Sequence, residues 1–398
     1  MIVMIKILSN TNKEDCSNCG ACYNACPVNA ISLKPNEYGF EYPEIDTDKC
    51  IHCQKCATAC TYTKNCELHT PIEAYAATNR NKNTLMNSSS GGVFSALAEY
   101  VLSQSGVVCG CVYDENLLPV HICTEKSDDV LLMRKSKYVQ SDIGLVYRDI
   151  LNILKSGQLV LFTGTPCQVA GLYSVVGEKY INLITVDLIC HGVPSRELFE
   201  KFLKYLEGKY KTKIVQFDFR SKKYKWQRFT AEFKDDKGRI KNIGKVNEFY
   251  FSAFTGGNIL RPNCFNCRFA CSERVGDITV GDFWGHEALD LKCDKNNGIS
   301  VLTINTPKAQ NLLEVLSQAL IMEKVDYKIV IAGNTCLRHP TLKGAKWEEY
   351  MLAVKNDTIS DIAYKYRSKN KKKILRGTIK LLIPIKIIQL INKRKYRK

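Results

Sequence analysis

The sequence predicts an α+β protein in which a small, cysteine-dense module precedes a larger body of alternating strands and helices. Three observations predict it. Residues 16–60 hold two four-cysteine runs of one spacing. Residues 107–208 alternate apolar strand-like runs with helical periodicity, and from Lys213 onward the pattern turns to short strands with hairpin punctuation.

The first run is Cys16-x2-Cys19-x2-Cys22-x3-Cys26-Pro27, and the second is Cys50-x2-Cys53-x2-Cys56-x3-Cys60. In the bacterial ferredoxin ligand run, three close thiolates hold one cubane and the fourth crosses to the other. Cys16, Cys19, Cys22 and Cys60 are therefore expected on one [4Fe-4S] cluster, and Cys50, Cys53, Cys56 and Cys26 on a second. The two-residue gaps aim successive sulfurs at one point, and Gly20 relieves crowding where backbone approaches the cluster. Zinc knuckles are the alternative, since Cys-x2-Cys pairs also bind zinc; two runs in the ferredoxin order favour iron. A disulfide scaffold is disfavoured because no signal peptide precedes the cysteines. Thr61 stands where the first run has Pro27, which loosens a turn and removes no ligand.

The chain of 398 residues has room for two or three domains. Nineteen cysteines without a secretory segment point to a reducing cytoplasm and to metal ligation. The net charge of +17 would suit a nucleic-acid binder, but its distribution does not. Residues 365–398 hold fourteen Lys and Arg and no Asp or Glu, leaving 43 basic against 40 acidic residues elsewhere. The excess belongs to a tail rather than a groove, and interleaved aromatics are missing, so nucleic acid is not expected as a partner. No apolar run approaches the ~20 residues needed to span a bilayer.

In order, Ile2 to Leu8 reads as a strand, and Ala30 to Leu33 with Tyr38 to Tyr42 as short strands over the small module. Cys66 lies past two complete quartets and reads as a spare thiol. Glu73 to Thr78 opens the next domain. Ser88-Ser89-Ser90-Gly91-Gly92 then runs into an apolar helix, whose N-terminal N–H groups suit a phosphate. A plain Ser cap with loop-shaping glycines is the equal alternative. The turn matches neither a Walker loop nor Gly-x-Gly-x-x-Gly.

Val107 to Tyr113 and Leu118 to Thr124 read as a strand pair, followed by a helix near Gly144 to Lys155. Gln158 to Phe162 is a buried strand ending at Gly164-Thr165-Pro166-Cys167-Gln168, with Pro166 fit for a first helical turn. Ile181 to Ile189 repeats the pattern and ends at Cys190-His191-Gly192, before a helix from Ser195 to Gly208. Cys167 thus falls at a strand-to-helix corner, where α/β sheets place ligands. Strands around Phe217 and Phe229 to Phe233 flank Arg220, Lys222, Lys223 and Lys225, and Asp236-Lys237-Gly238 is a hairpin turn. Cys264-x2-Cys267-x3-Cys271 makes half a metal site that Cys167 and Cys190 could complete, with Cys271 a fifth candidate. Zinc or reduced core thiols are the alternatives. Cys109, Cys111, Cys123, Cys293 and Cys336 lack ligand spacing and read as core residues.

Taken together, the chain resembles the family of beta subunits of coenzyme F420 hydrogenases and dehydrogenases, preceded by a two-cluster ferredoxin domain. The residues that carry the resemblance are Ser89-Ser90-Gly91-Gly92, Lys135 to Ser141, Gly164 to Gln168, Cys190-His191-Gly192, Phe219 to Lys222, Cys264-x2-Cys267 and Gly281-Asp282-Phe283-Trp284. The resemblance implies an FAD-binding α/β body of two subdomains with an internal [4Fe-4S] cluster. It makes Cys167, Cys190, Cys264 and Cys267 the favoured ligands, and Ser89, Ser90, Gly91, Gly92, Lys137 and Tyr138 the FAD contacts. Four segments follow: a ferredoxin-type domain over 1–70, N- and C-terminal-like beta-subunit domains over 71–186 and 187–345, and a basic tail over 346–398. The tail, apolar but interrupted by cations and Pro384, suits the face of an anionic membrane, and a packing helix with a disordered end is the equal alternative.

The expected function is a cytoplasmic oxidoreductase, peripheral to the membrane at most. It would couple one-electron transfer through clusters to two-electron chemistry at FAD. Its partners would be a ferredoxin or other redox protein, and a deazaflavin or other organic substrate. His191 is the candidate proton carrier. The rival reading is a non-catalytic electron-transfer subunit serving a partner enzyme, as in surface-polysaccharide gene clusters.

Overall fold

The computed structural model describes residues 13–63, 66–177, 180–244 and 248–382. The strand expected at Ile2 to Leu8, and the tail from residue 383 with Pro384, lie outside the described residues.

The cysteine-dense module pairs β1 (Ile31–Pro35) with β2 (Glu41–Ile45) in an antiparallel ribbon. A short helix follows each ligand loop: α1 (Ala21–Ala25) and α2 (Lys55–Thr58). Their entries share one backbone device. Asn18 and Gly20 in the first loop, and His52 and Gln54 in the second, all adopt positive φ. Each pair lies two and four residues after its first cysteine, so the internal repeat is conformational as well as compositional. Gly20, at φ 81°, is also tight: a Cβ there would stand 3.0 Å from the Cβ of Ile143.

The body is built on an eight-stranded sheet in the order β13-β3-β12-β11-β7-β6-β4-β5. Here β3 is Glu73–Asn79, β4 Val107–Tyr113, β5 Pro119–Thr124, β6 Val160–Gly164, β7 Leu183–Leu188, β11 Ile278–Asp282, β12 Ser300–Ile304 and β13 Leu320–Lys324. Its centre, β4, β6, β7 and β11, is parallel, and antiparallel strands close both flanks. The central strands are buried apolar runs such as Val160-Leu161-Phe162, as a sheet covered on both faces requires. Covering helices include α3 (Val93–Ser103), α4 (Ser127–Met133), α5 (Val146–Lys155) and α6 (Pro166–Val176). Pro166 opens α6, and Thr165 with Gln168 forms a reciprocal capping box.

The sheet draws strands from both sides of residue 186, which falls inside β7. The stretches expected as two subdomains therefore share one sheet. A second core lies between the three-stranded sheet of β8 (Ile214–Ser221), β9 (Thr230–Asp235) and β10 (Ile240–Asn242) and the helices α7 (Arg196–Tyr210) and α8 (Phe249–Thr255). Ser195 caps α7 by accepting the Leu198 N–H at 3.3 Å.

Two expectations need correction. The stretch from residue 346 is not all tail: α9 (Trp347–Lys355) and α10 (Ile359–Lys369) bury Trp347, Tyr350, Met351, Val354, Ile359 and Ala363 in the second core. Their apolar positions recur at helical spacing, which outweighs the basic composition. Cys109 and Cys123, read as separate core thiols, are joined as a disulfide, because the β4–β5 register sets them opposite with Cα atoms 4.1 Å apart.

The Trp347 indole N–H donates to the Leu260 carbonyl at 2.8 Å. Trp347→Ala should lower stability by about 3 kcal/mol, as loss of a buried aromatic does. A denaturant midpoint equal to that of the wild type would place α9 outside the core.

Candidate iron–sulfur and anion-binding sites

Cys26, Cys50, Cys53 and Cys56 line one pocket of about 310 Å³, walled by Val28, Ala30, Ile31, Ile45 and Ile51. Cys16, Cys19, Cys22 and Cys60 line a second pocket of about 630 Å³. The fourth cysteine of each run thus lies with the other run's three. Among the described residues, no three His, Cys, Asp or Glu side chains converge on a single metal ion. The sulfurs instead border open spaces with apolar walls and backbone donors. The Asn18 N–H donates to Cys16 Sγ at 3.4 Å and the Ala30 N–H to Cys26 Sγ at 3.2 Å. That donor set fits two cubanes.

A third group of thiols gathers at the C-terminal edge of the parallel strands. Cys167 is the second residue of α6, Cys190 follows β7, and Cys264 and Cys267 come from the loop before β11. Burial raises their pKa values, to about 11 for Cys167 and about 12 for Cys264. The Cys190 thiol is held far above its ordinary range by burial and then by Cys264, Cys167 and Cys267 in turn. Four mutually repelling buried thiols need a positive core to ionise together, so the set fits a cluster. Cys271 differs: its sulfur points to the carbonyls of Arg268 and Glu273 in its own loop.

His191, expected as a proton carrier, has both ring nitrogens engaged. Nε2 lies 3.1 Å from the Phe254 carbonyl, and Nδ1 lies 3.2 Å from Thr341 Oγ1, which donates to the His191 carbonyl. Burial also lowers its pKa. The ring thus lies between the Phe254 carbonyl and Thr341, against the loop after Cys190.

The two thiol-bearing regions meet. The Tyr147 hydroxyl, from α5, lies within hydrogen-bond distance of the Cys19 carbonyl (2.7 Å) and the Gln168 carbonyl (2.8 Å). A Cβ on Gly171 of α6 would stand 2.9 Å from the Cys19 carbonyl and 3.2 Å from the Cys19 Cβ. Three arginines of the body hold the module by its carbonyls. Arg148 donates to Asn24 O at 2.7 Å, Tyr23 O at 3.1 Å and Cys26 O. Arg261 donates to Cys16 O at 2.7 Å and Glu41 O at 2.8 Å, and Arg268 to Thr61 O at 2.9 Å. Sequence reasoning missed all five residues. Arg261 and Arg268 flank the Cys264–Cys267 pair, the one signal that could have flagged them; Arg148, Tyr147 and Gly171 carry none.

The expected FAD contacts come together with a cation cluster. Arg220 forks onto Asp282 (2.7 and 3.2 Å) and donates to Tyr138 Oη at 2.8 Å and to the Ser89 carbonyl at 3.1 Å. Its Nε is buried without a partner. Lys222 donates to the carbonyls of Leu85 (2.7 Å) and Ser90 (2.6 Å). The hydroxyls of the turn serve the fold: Ser89 Oγ accepts from Ser136, Ser90 Oγ donates to Ile299 O, and Gly91 admits no Cβ because the Ala77 carbonyl would lie 2.0 Å away. The Lys137 ammonium closes the C-terminus of α4 through the carbonyls of Leu132, Met133 and Arg134. Tyr138 stacks on Phe254 at 4.7 Å. What remains for an anion is Arg220 Nε, the Lys222 ammonium, and an α3 N-terminus that Gly92 enters with no side-chain cap. This set fits a diphosphate.

A protein that joins two ferredoxin-type pockets to a third thiol quartet on an α/β sheet belongs to the iron–sulfur redox class. Residues 15–64 match the 4Fe-4S dicluster domain. Residues 74–146 and 157–330 match the N- and C-terminal families of the coenzyme F420 hydrogenase/dehydrogenase beta subunit. The chain belongs to that family of beta subunits and is fused to a dicluster ferredoxin domain. It is 23% identical over 218 residues to a subunit of the F(420)H(2) dehydrogenase of Methanosarcina mazei, covering 50% of this chain and 61% of that one. It is 23% identical over 328 residues to the coenzyme F420-dependent sulfite reductase of Methanocaldococcus jannaschii, covering 78% and 48%. The chain thus spans about half to three-fifths of the length of these two relatives. A chain of the F420-reducing [NiFe] hydrogenase complex from Methanosarcina barkeri aligns with TM-score 0.45 at 16% identity, over 74% of this chain and 92% of that one. The dicluster match makes residues 15–64 an iron–sulfur, electron-transfer module. Among the described residues, no helix is long and apolar enough to cross a membrane.

Burial, and then the neighbouring Arg220, lower the Lys222 pKa from 10.5 to about 7, with Lys135 adding to the effect and Asp282 and Asp294 opposing it. Between those two values the unfolded chain holds a proton that the folded protein has released, so stability should rise with pH across that window. Lys222→Met should flatten the rise relative to the wild type in a pH series of denaturation midpoints. Parallel curves would remove Lys222 as the cause.

Proposed function

We propose that this chain is an iron–sulfur flavoprotein that moves single electrons between its dicluster domain and FAD through a third [4Fe-4S] centre. In this reading Cys16, Cys19, Cys22 and Cys60 hold one cluster, and Cys50, Cys53, Cys56 and Cys26 the second. Cys167, Cys190, Cys264 and Cys267 hold the third. The two-electron partner is coenzyme F420 or another organic molecule, a choice supported by the two F420-linked relatives. The observation that carries the reading is the approach of Cys19 to α6, one turn from Cys167, across Gly171.

Bound FAD would supply the exchange between two-electron and one-electron chemistry. The chain's own part is binding and orientation. Arg220, Lys222 and the uncapped start of α3 would receive the diphosphate, with the Ser89–Gly92 turn held beneath by its own hydrogen bonds. Tyr138 would offer its ring beside Phe254. The arginine grip on the ligand-loop carbonyls would keep the distance between the clusters fixed.

Anaerobically purified protein should carry about twelve iron atoms per chain, and Cys190→Ser about eight. Its flavin absorbance should bleach on addition of reduced F420. Flavin-free protein that still passes electrons would favour the non-catalytic subunit instead. Colourless protein holding stoichiometric zinc would end the reading. Gly171→Leu should cost about 1–3 kcal/mol through overpacking. It should also weaken magnetic coupling between the first and third centres at unchanged iron content; an unaltered spectrum would remove this junction as the route.

A further inference from the structure

The helix α11 (Lys371–Leu382) follows α10 after the single residue Asn370. α10 is fixed to the body. Ile359 and Ala363 are buried, Tyr366 Oη lies 2.9 Å from Ser252 Oγ, and Arg367 pairs with the buried Glu248 at 2.8 Å. α11 therefore starts from a rigid mount. Its described side chains combine two features. Leu375 is 61% exposed and Ile379 49%, and their four-residue spacing sets them on one face. Exposed Lys372 and Arg376 border that face at the adjoining positions, with exposed Lys371 at its start. Tyr364, 77% exposed, adds an aromatic with a polar tip on α10.

We propose that α11 is a docking surface for a bilayer that contains anionic lipid. Residues 365–398 carry fourteen basic and no acidic residues, against a near-neutral remainder, so the attraction is local to this end of the molecule. A solvated charge run would account for the cations alone, but it leaves two large aliphatic side chains in water among them. A nucleic-acid duplex would use the cations and leave the aliphatic pair equally unburied. A lipid interface uses both at once: headgroup phosphates meet the Lys and Arg, and the acyl boundary covers Leu375 and Ile379. The inference is independent of the cluster and flavin assignments.

The test is sedimentation of the full-length holoprotein with vesicles of phosphatidylcholine, alone or mixed with phosphatidylglycerol. Binding is expected to the mixed vesicles only, and to weaken as salt is raised. The triple variant Lys371→Glu, Lys372→Glu, Arg376→Glu should bind about a hundredfold more weakly. Leu375→Glu with Ile379→Glu should remove the portion that survives high salt. Cluster absorbance identical to the wild type shows that the variants have folded, and the salt series on the wild type decides the matter should they not. Equal sedimentation with both vesicle types, sedimentation indifferent to salt, or tighter binding to duplex DNA than to mixed vesicles would each overturn the proposal.

Discussion

Arg261 is fully buried, and its guanidinium holds three separate segments together. It grips the Cys16 carbonyl at the start of the first ligand loop, the Glu41 carbonyl in β2, and the Gln140 amide oxygen in the body. Gln140 in turn donates to the Ser17 carbonyl at 2.9 Å. A buried cation is unfavourable unless something anionic or electron-rich faces it. Here the Tyr42 ring lies 4.3 Å away, and the charge pulls the thiols of Cys167 and Cys264 toward ionisation against their burial. One side chain therefore docks the module and supplies countercharge to the thiols behind it. Removing its charge would leave buried carbonyls unpaired and at the same time push those thiol pKa values higher still.

The sheet explains why those thiols meet at all. Parallel strands deliver their C-terminal ends to one edge, and β6, β7 and β11 deliver Cys167, Cys190 and Asp282 there. Burial that holds the cysteines protonated has a further consequence. A cluster loaded there, as proposed, would have to expel their protons, which would couple assembly of the site to pH and to closure of the fold around it. The left-handed residues of the two ferredoxin loops fix the direction of successive sulfurs locally.

What the sequence disclosed followed from spacing. Cysteine intervals paired the sulfurs of two pockets across the runs, and Pro166 with Thr165 marked the start of α6. What it withheld was contact between distant segments. Arg148 has no pattern around it, and its role exists only because α5 lies against the loop that ends at Cys26. The contacts of the Lys137 ammonium with the carbonyls at the end of α4 were likewise illegible, since nothing local distinguishes an ammonium facing an anion from one facing carbonyls. The Cys109–Cys123 pair depended on a strand register that the sequence leaves open. Composition misled once: the basic count beyond residue 346 hid the apolar spacing that buries α9 and α10.

Solvent access gives the three thiol groups an order. The quartet of Cys26, Cys50, Cys53 and Cys56 includes exposed Cys53, in a stretch where Ile51 is also open to water. The first quartet lies between this loop and the body, and its Cys19 thiol is raised to about 12, by burial first. The body quartet lies behind it beside Arg261 and the sheet edge. Exposure to water and N–H···S bonds both shift cluster potentials, so under the proposed three-cluster reading the gradient from solvent to interior would set the three centres at different potentials. A tethered module that swung freely would set cluster separation by chance encounter. Here Gly171, Tyr147 and the arginine grip fix the module against the body, so under the proposed reading the rate of passage would be a property of the folded chain rather than of a linker.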